Sequence, residues 1–161
     1  MPEPTRLANQ LQLALNGDAW HGSSIADLLR DVTAAEAASY PIPGAHSIWE
    51  ITLHINGWLG EVLRRLGGKP PGEPAEGDWP IPAQVTPAQW DIARKAIQLT
   101  GAELVAAIRA TPESRLDEVI GAERDAPLGT EVTYYVMLHG VIEHSLYHAG
   151  QAALLKRAVR V

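Results

Sequence analysis

Apolar residues recur at steps of three and four through most of this chain. Between Thr5 and Asn16 they are Leu7, Leu11, Ala14 and Leu15, and Gly17 follows; that spacing predicts a first amphipathic helix with a glycine stop. After the Trp20-His-Gly loop, Ser24 stands where a cap belongs and Asp27 falls in the first turn of a short helix. Tyr40-Pro-Ile-Pro-Gly44 reads as an extended, rigid connection. A second long helix opens on the capping box Ser47-Ile-Trp-Glu50. It carries Ile48, Ile51, Ile55, Leu59, Val62 and Leu66 as its stripe and ends at Gly67-Gly68. A third begins at Thr86-Pro87-Ala-Gln89, and Trp90, Ala93, Ile97, Gly101, Leu104 and Ile108 keep the rhythm until Thr111-Pro112. The fourth runs from about Glu131 to Val159, with Met137, Val141, His144, His148, either Gln151 or Ala152, and Leu155 on one face.

Two stretches break this rhythm. Residues 67–86 are rich in proline and glycine and propagate neither helix nor sheet. A loop of that length in a compact domain is either functional or a plain crossover between helices that point the same way. Trp79, between Asp78 and Pro80, predicts that it docks on the body of the protein. Residues 113–129 are polar and irregular, and Leu116–Ile120 is compatible with a short strand or a turn. Four long amphipathic helices, with no strand pattern and no internal repeat, predict an all-α four-helix bundle with a long crossover loop, one domain over 1–161.

Composition narrows the chemistry. The chain has 161 residues, 46% hydrophobic and 20% charged, which is ordinary for a globular protein. Its formal charge is -6, and no run of lysine or arginine exceeds two residues. Nucleic acid is therefore not an expected partner, because binding it needs a basic footprint. No run of eighteen apolar residues predicts a membrane span. Met1-Pro-Glu-Pro-Thr-Arg-Leu lacks the features of a secretory signal, so a cytoplasmic location is the expectation. There is no cysteine, which removes disulfides, thiolate metal sites and cysteine nucleophiles together. Any metal must be held by nitrogen and oxygen, and any thiol chemistry needs a thiol from outside.

Histidine supplies the candidate site. His144 and His148 are one helical turn apart on the same face, inside an otherwise apolar stripe. Two adjacent imidazoles on a buried face need several polar partners where few exist, and one divalent cation satisfies both lone pairs. His54 lies at the edge of the second helix's stripe and makes a third candidate ligand. Three protein ligands leave a coordination position open, as in a catalytic rather than a structural site. That position would take water or the sulfur of a thiol cosubstrate. Glu50, one turn before His54, is placed to orient an imidazole, although the capping box claims the same carboxylate. Trp58 and Trp79 are candidate pocket walls, while Trp49 and Trp90 read as core. Gln151, one turn after His148, suits contact with a ligand or a bridge between helices. His139 should point elsewhere, and His21 and His46 fall in connecting segments.

Several motifs carry a family resemblance: Trp20-His-Gly; Ser47-Ile-Trp-Glu-Ile-Thr-Leu-His54-Ile-Asn-Gly-Trp58; Asp78-Trp79-Pro80; and His139-Gly-Val-Ile-Glu-His144-Ser-Leu-Tyr-His148-Ala-Gly-Gln151. In this order they resemble the DinB/YfiT-like family of damage-inducible proteins, over nearly the whole chain. The resemblance implies a four-helix bundle, often a homodimer, that binds zinc, nickel or another divalent ion through His54, His144 and His148. It also implies a metal-dependent hydrolase or a thiol S-transferase acting on a small molecule, the latter with a low-molecular-weight thiol such as bacillithiol, mycothiol or glutathione. A non-enzymatic metal-binding stress-response module is the alternative.

Overall fold

A computed structural model describes residues 1–121 and 132–161. Its helices are α1 (Glu3–Asn16), α2 (Ile25–Leu29), α3 (Ala34–Ala38), α4 (Ile48–Leu66), α5 (Pro87–Ala110) and α6 (Tyr134–Ala158), with a 3-10 turn at Glu113–Asp117. Local chemistry sets most of these boundaries. Ser24, Ser47, Thr86 and Thr133 each accept a hydrogen bond from a backbone N–H of the first turn they cap. The short α3 was not expected, although Thr33-Ala-Ala-Glu36 is a capping box that closes in both directions. The α4 box is likewise complete, with Ser47 N donating to Glu50 Oε2 at 2.7 Å.

Packing fixes the directions. Trp49 and Trp90, at the starts of α4 and α5, have ring centroids 5.1 Å apart. Further along, Gly60 faces Thr100, so these two helices run parallel. The α6 helix opposes α4: the Tyr134 hydroxyl at its start donates to the Arg65 carbonyl near the end of α4, while His144 meets His54. The α1 helix opposes α5, with Arg109 bonded to Asn9 and Gln12. Gly101 lets them close, because a Cβ there would sit 2.5 Å from Leu15 Cδ1. The result is an all-α bundle in an up-down-down-up order around one core.

Parallel α4 and α5 require the chain to travel back the length of a helix, about 28 Å for the 19 residues of α4. Residues 67–86 make that return without helix or strand. The loop is pinned to α4. Buried Glu61 accepts from Gly72 N at 2.7 Å and from both Arg64 and Arg65. Arg65 also donates to the Gly72 carbonyl at 2.8 Å, and Arg64 to the Pro70 carbonyl. Burial alone would raise the Glu61 carboxyl, but its two guanidinium partners and the Gly72 amide hold it below the ordinary range. Gly57 permits the close approach, since a Cβ there would meet Pro74 at 3.0 Å.

Leu116–Ile120 is neither a full strand nor a simple turn. After the 3-10 turn, Val119 makes a single antiparallel bridge with Thr133, and Ile120 N donates to the Val132 carbonyl. The expected helix start at Glu131 and the rest of the irregular segment, 122–131, lie outside the described residues. No helix among the described residues is long and apolar enough to cross a membrane.

Candidate metal centre

The bundle brings His54, His144 and His148 together. One ring nitrogen from each lies within 4.8 Å of the others. The ring of His54 is 4.8 Å from that of His144 and 4.6 Å from that of His148. Antiparallel packing of α4 on α6 produces this meeting, and the one-turn spacing of His144 and His148 puts both on the facing side.

Hydrogen bonds fix how two of the rings present themselves. His54 Nδ1 is 2.6 Å from the Asp78 carbonyl, which can only accept, so this nitrogen carries the proton and Nε2 keeps its lone pair. His148 Nδ1 lies 2.7 Å from Gln151 Oε1, an acceptor that imposes the same tautomer. His54 Nε2 and His144 Nε2 are 2.9 Å apart, while His144 Nδ1 is buried without a partner. Burial pushes the His144 pKa down to about 4, and His148 and His54 add to the effect. Burial also lowers His148, against the opposing pull of Gln151. Neutral imidazole is the ligating form, so these rings are prepared for a cation at neutral pH. Nitrogens bound to one tetrahedral ion at 2.0–2.1 Å stand about 3.4 Å apart. The three residues therefore fit a divalent ion with small ring adjustments, and their all-nitrogen donor set suits zinc, nickel, copper or iron.

The crossover loop supplies the surroundings. Trp79 stacks on His54, with centroids 3.8 Å apart and planes 2° from parallel. On its other side it stacks on His46 at 3.6 Å. Asp78 Oδ1 accepts from Trp58 Nε1 at 2.8 Å and lies 3.3 Å from His54 Nδ1. Beside the histidines a cleft of about 340 Å³ opens, walled by Trp58, Val62, Met137 and Val141, with Arg65 and Asp78 as its charged members.

Several expectations need revision. Glu50 does not orient His54: its carboxylate caps α4 through Ser47, meets the Tyr40 hydroxyl and lies 3.6 Å from His46. The capping role wins because the helix amide is local and always present. Asp78 takes the place proposed for Glu50, and the Asp78-Trp79-Pro80 motif was its only signal in the sequence. His46, in its connecting segment and half exposed, is the outer leaf of the Trp79 stack. Gln151 bonds His148 instead of bridging two helices. His21 lines a groove on another part of α6, beside Ala149 and Lys156. His139 packs on Tyr135, and Tyr147 is exposed. Trp49 and Trp90 are core, the latter donating to the Val32 carbonyl.

Fold and site together define an all-α bundle protein with a largely buried three-histidine group compatible with metal binding. The chain belongs to the DinB superfamily, whose family model matches residues 19–152 and so takes in all three histidines. No curated protein and no solved structure matches the chain.

Proposed function

We propose that this protein holds a divalent cation, zinc or nickel, through His54, His144 and His148 and acts as a metal-dependent enzyme on a small molecule, as a thiol S-transferase or a hydrolase. One observation carries the reading. Oxygen acceptors occupy Nδ1 of His54 and of His148, so Nε2 of each is left as the ligating nitrogen, and the three rings meet beside a cleft, with His54 Nε2 2.9 Å from His144 Nε2. A bound divalent cation supplies Lewis acidity there, which lowers the pKa of water or of a thiol. The chain's own residues do the rest. Trp79 covers one face of His54 and excludes water from it. Trp58, Val62, Met137 and Val141 offer an apolar wall to the substrate. Asp78 places a carboxylate on the same cleft, available to take up a released proton. A transferase requires an external thiol, because the chain has no cysteine.

The test begins with metal analysis of protein purified without a histidine tag. A stoichiometric divalent ion that is lost in His144→Ala supports the centre; protein without metal affinity refutes it. Turnover of a thiol with an epoxide or haloarene, set against an ester and amide panel, separates transferase from hydrolase. Full metal occupancy with no turnover in either panel favours the binding module. The homodimer and the cytoplasmic location belong to the same proposal, and sedimentation at micromolar concentration tests the first.

A further inference from the structure

We propose that the small molecule bound at the histidine cleft carries a carboxylate, and that Arg65 is the residue that recognises it. This rests on the reading of the histidines as a substrate-binding metal centre, and adds the class of substrate.

Arg65 is only 7% exposed, yet it lines the cleft together with His54 and His144. Its Nε donates to Glu61 and its Nη2 to the Gly72 carbonyl. Nη1 donates to no protein atom among the described residues, and it is not among the atoms sealed from solvent without a partner. In a side chain this buried, the opening left to Nη1 is the cleft. Charge points the same way. Glu61 is shared between Arg64 and Arg65, so the cluster keeps one uncompensated positive charge. Asp78, the other charge on the cleft, forms no ion pair with Arg65 among the described residues. Arg65 is itself ion-paired with Glu61 at 2.7 Å, so what it offers the cleft is its spare N–H edge, and a guanidinium with N–H groups to spare is a natural partner for a carboxylate. A single net charge matches a monoanion.

The helix provides a ruler. His54 and Arg65 are separated along α4 by about 16 Å of helical rise. The Arg65 side chain lies back toward the N-terminus, reaching Glu61 and crossing the Trp58 ring at 5.8 Å. That leaves on the order of 10 Å between guanidinium and histidines. The carboxylate thus sits several bonds from the reacting atom, with an apolar linker along Trp58 and Val62.

Two probes test this: 6-mercaptohexanoate and its neutral amide, 6-mercaptohexanamide, titrated into cobalt-loaded protein and followed by the cobalt spectrum. The carboxylate should bind tenfold to a hundredfold more tightly than the amide, the range of a charged hydrogen bond. Arg65→Gln should bring the two within about twofold, with carboxylate affinity falling at least severalfold more than amide affinity. If Arg65→Gln does not fold by circular dichroism, Arg65→Lys answers in its place, with a preference reduced severalfold. Equal binding in the wild type, a preference that survives substitution, or no binding of either probe overturns the proposal. The metal reading fails separately, if cobalt does not bind or binds undiminished in His144→Ala. In that event the same pair is compared on metal-free protein by calorimetry, where the Arg65-dependent preference must still appear.

Discussion

Replacing Gln151 with leucine tests the logic of the histidine cluster at one atom. Gln151 Oε1 lies 2.7 Å from His148 Nδ1 and holds the proton there. Leucine fills similar space and accepts nothing. His148 is 7% exposed, so water replaces the lost acceptor poorly. A buried N–H left without a partner costs about 1–3 kcal/mol. Loss of an outer partner of a ligating histidine lowers metal affinity by about tenfold to a hundredfold, or roughly 1.4–2.7 kcal/mol. The two ranges agree, and together they predict a Gln151→Leu protein that binds zinc about tenfold to a hundredfold more weakly in competition with a chelating dye. Gln151→Glu is the informative partner. A carboxylate can only accept, so it keeps the proton on Nδ1 and should retain or raise the affinity. Zinc affinity within twofold of wild type in Gln151→Leu refutes the tautomer argument. A Gln151→Glu protein as weak as the leucine variant refutes it equally, since then the amide was not serving as an acceptor.

Other predictions address the loop and the protons. Glu61→Gln leaves two guanidiniums around a neutral amide; breaking a buried pair costs about 3 kcal/mol or more, reduced here because Arg64 is partly exposed. Urea unfolding should show a loss of about 2–3 kcal/mol, and limited proteolysis should cut faster within 67–86; unchanged cleavage there would mean that the clip does not hold the loop. Trp79→Ala removes the slab between His46 and His54 and should cost about 1–3 kcal/mol, less than a fully buried tryptophan, with weaker zinc binding; full zinc affinity would show that the loop does not organise His54. The His144 pKa is depressed to about 4 from 6.5. The unfolded chain therefore binds more protons between those values, so metal-free protein loses stability as pH falls from about 6.5 toward 4. With His144 only partly buried, solvent screening limits this to about 1–2 kcal/mol. The difference in urea midpoint between pH 7.5 and 4.5 should accordingly be smaller in His144→Gln than in wild type; an equal difference places the titration elsewhere.

The helices and the histidine pair on α6 were legible in the chain because both are written in local spacing. Capping residues, a 3-4 apolar rhythm and glycine or proline stops define α1, α4, α5 and most of α6 through contacts within a turn. His144 and His148 share a face for the same reason. Even the missed α3 had its local signal in Thr33 and Glu36. What surrounds the histidines is a different matter. Asp78 meets His54 across 24 positions of chain, and no periodicity relates a residue in a proline-rich loop to a helix it crosses. The same holds for Trp79 between two histidines and for Arg65, whose place in the last turn of α4 does not reveal a spare guanidinium edge. The carboxylate of Glu50 had two candidate partners in the sequence, and the nearby backbone amide prevailed over the imidazole one turn away. Local chain geometry thus determined the helices and the histidine pair on α6, whereas only the packing of α4 on α6 beneath the crossover decided which groups hold, cover and charge the cleft, because those contacts join segments that sequence distance keeps apart.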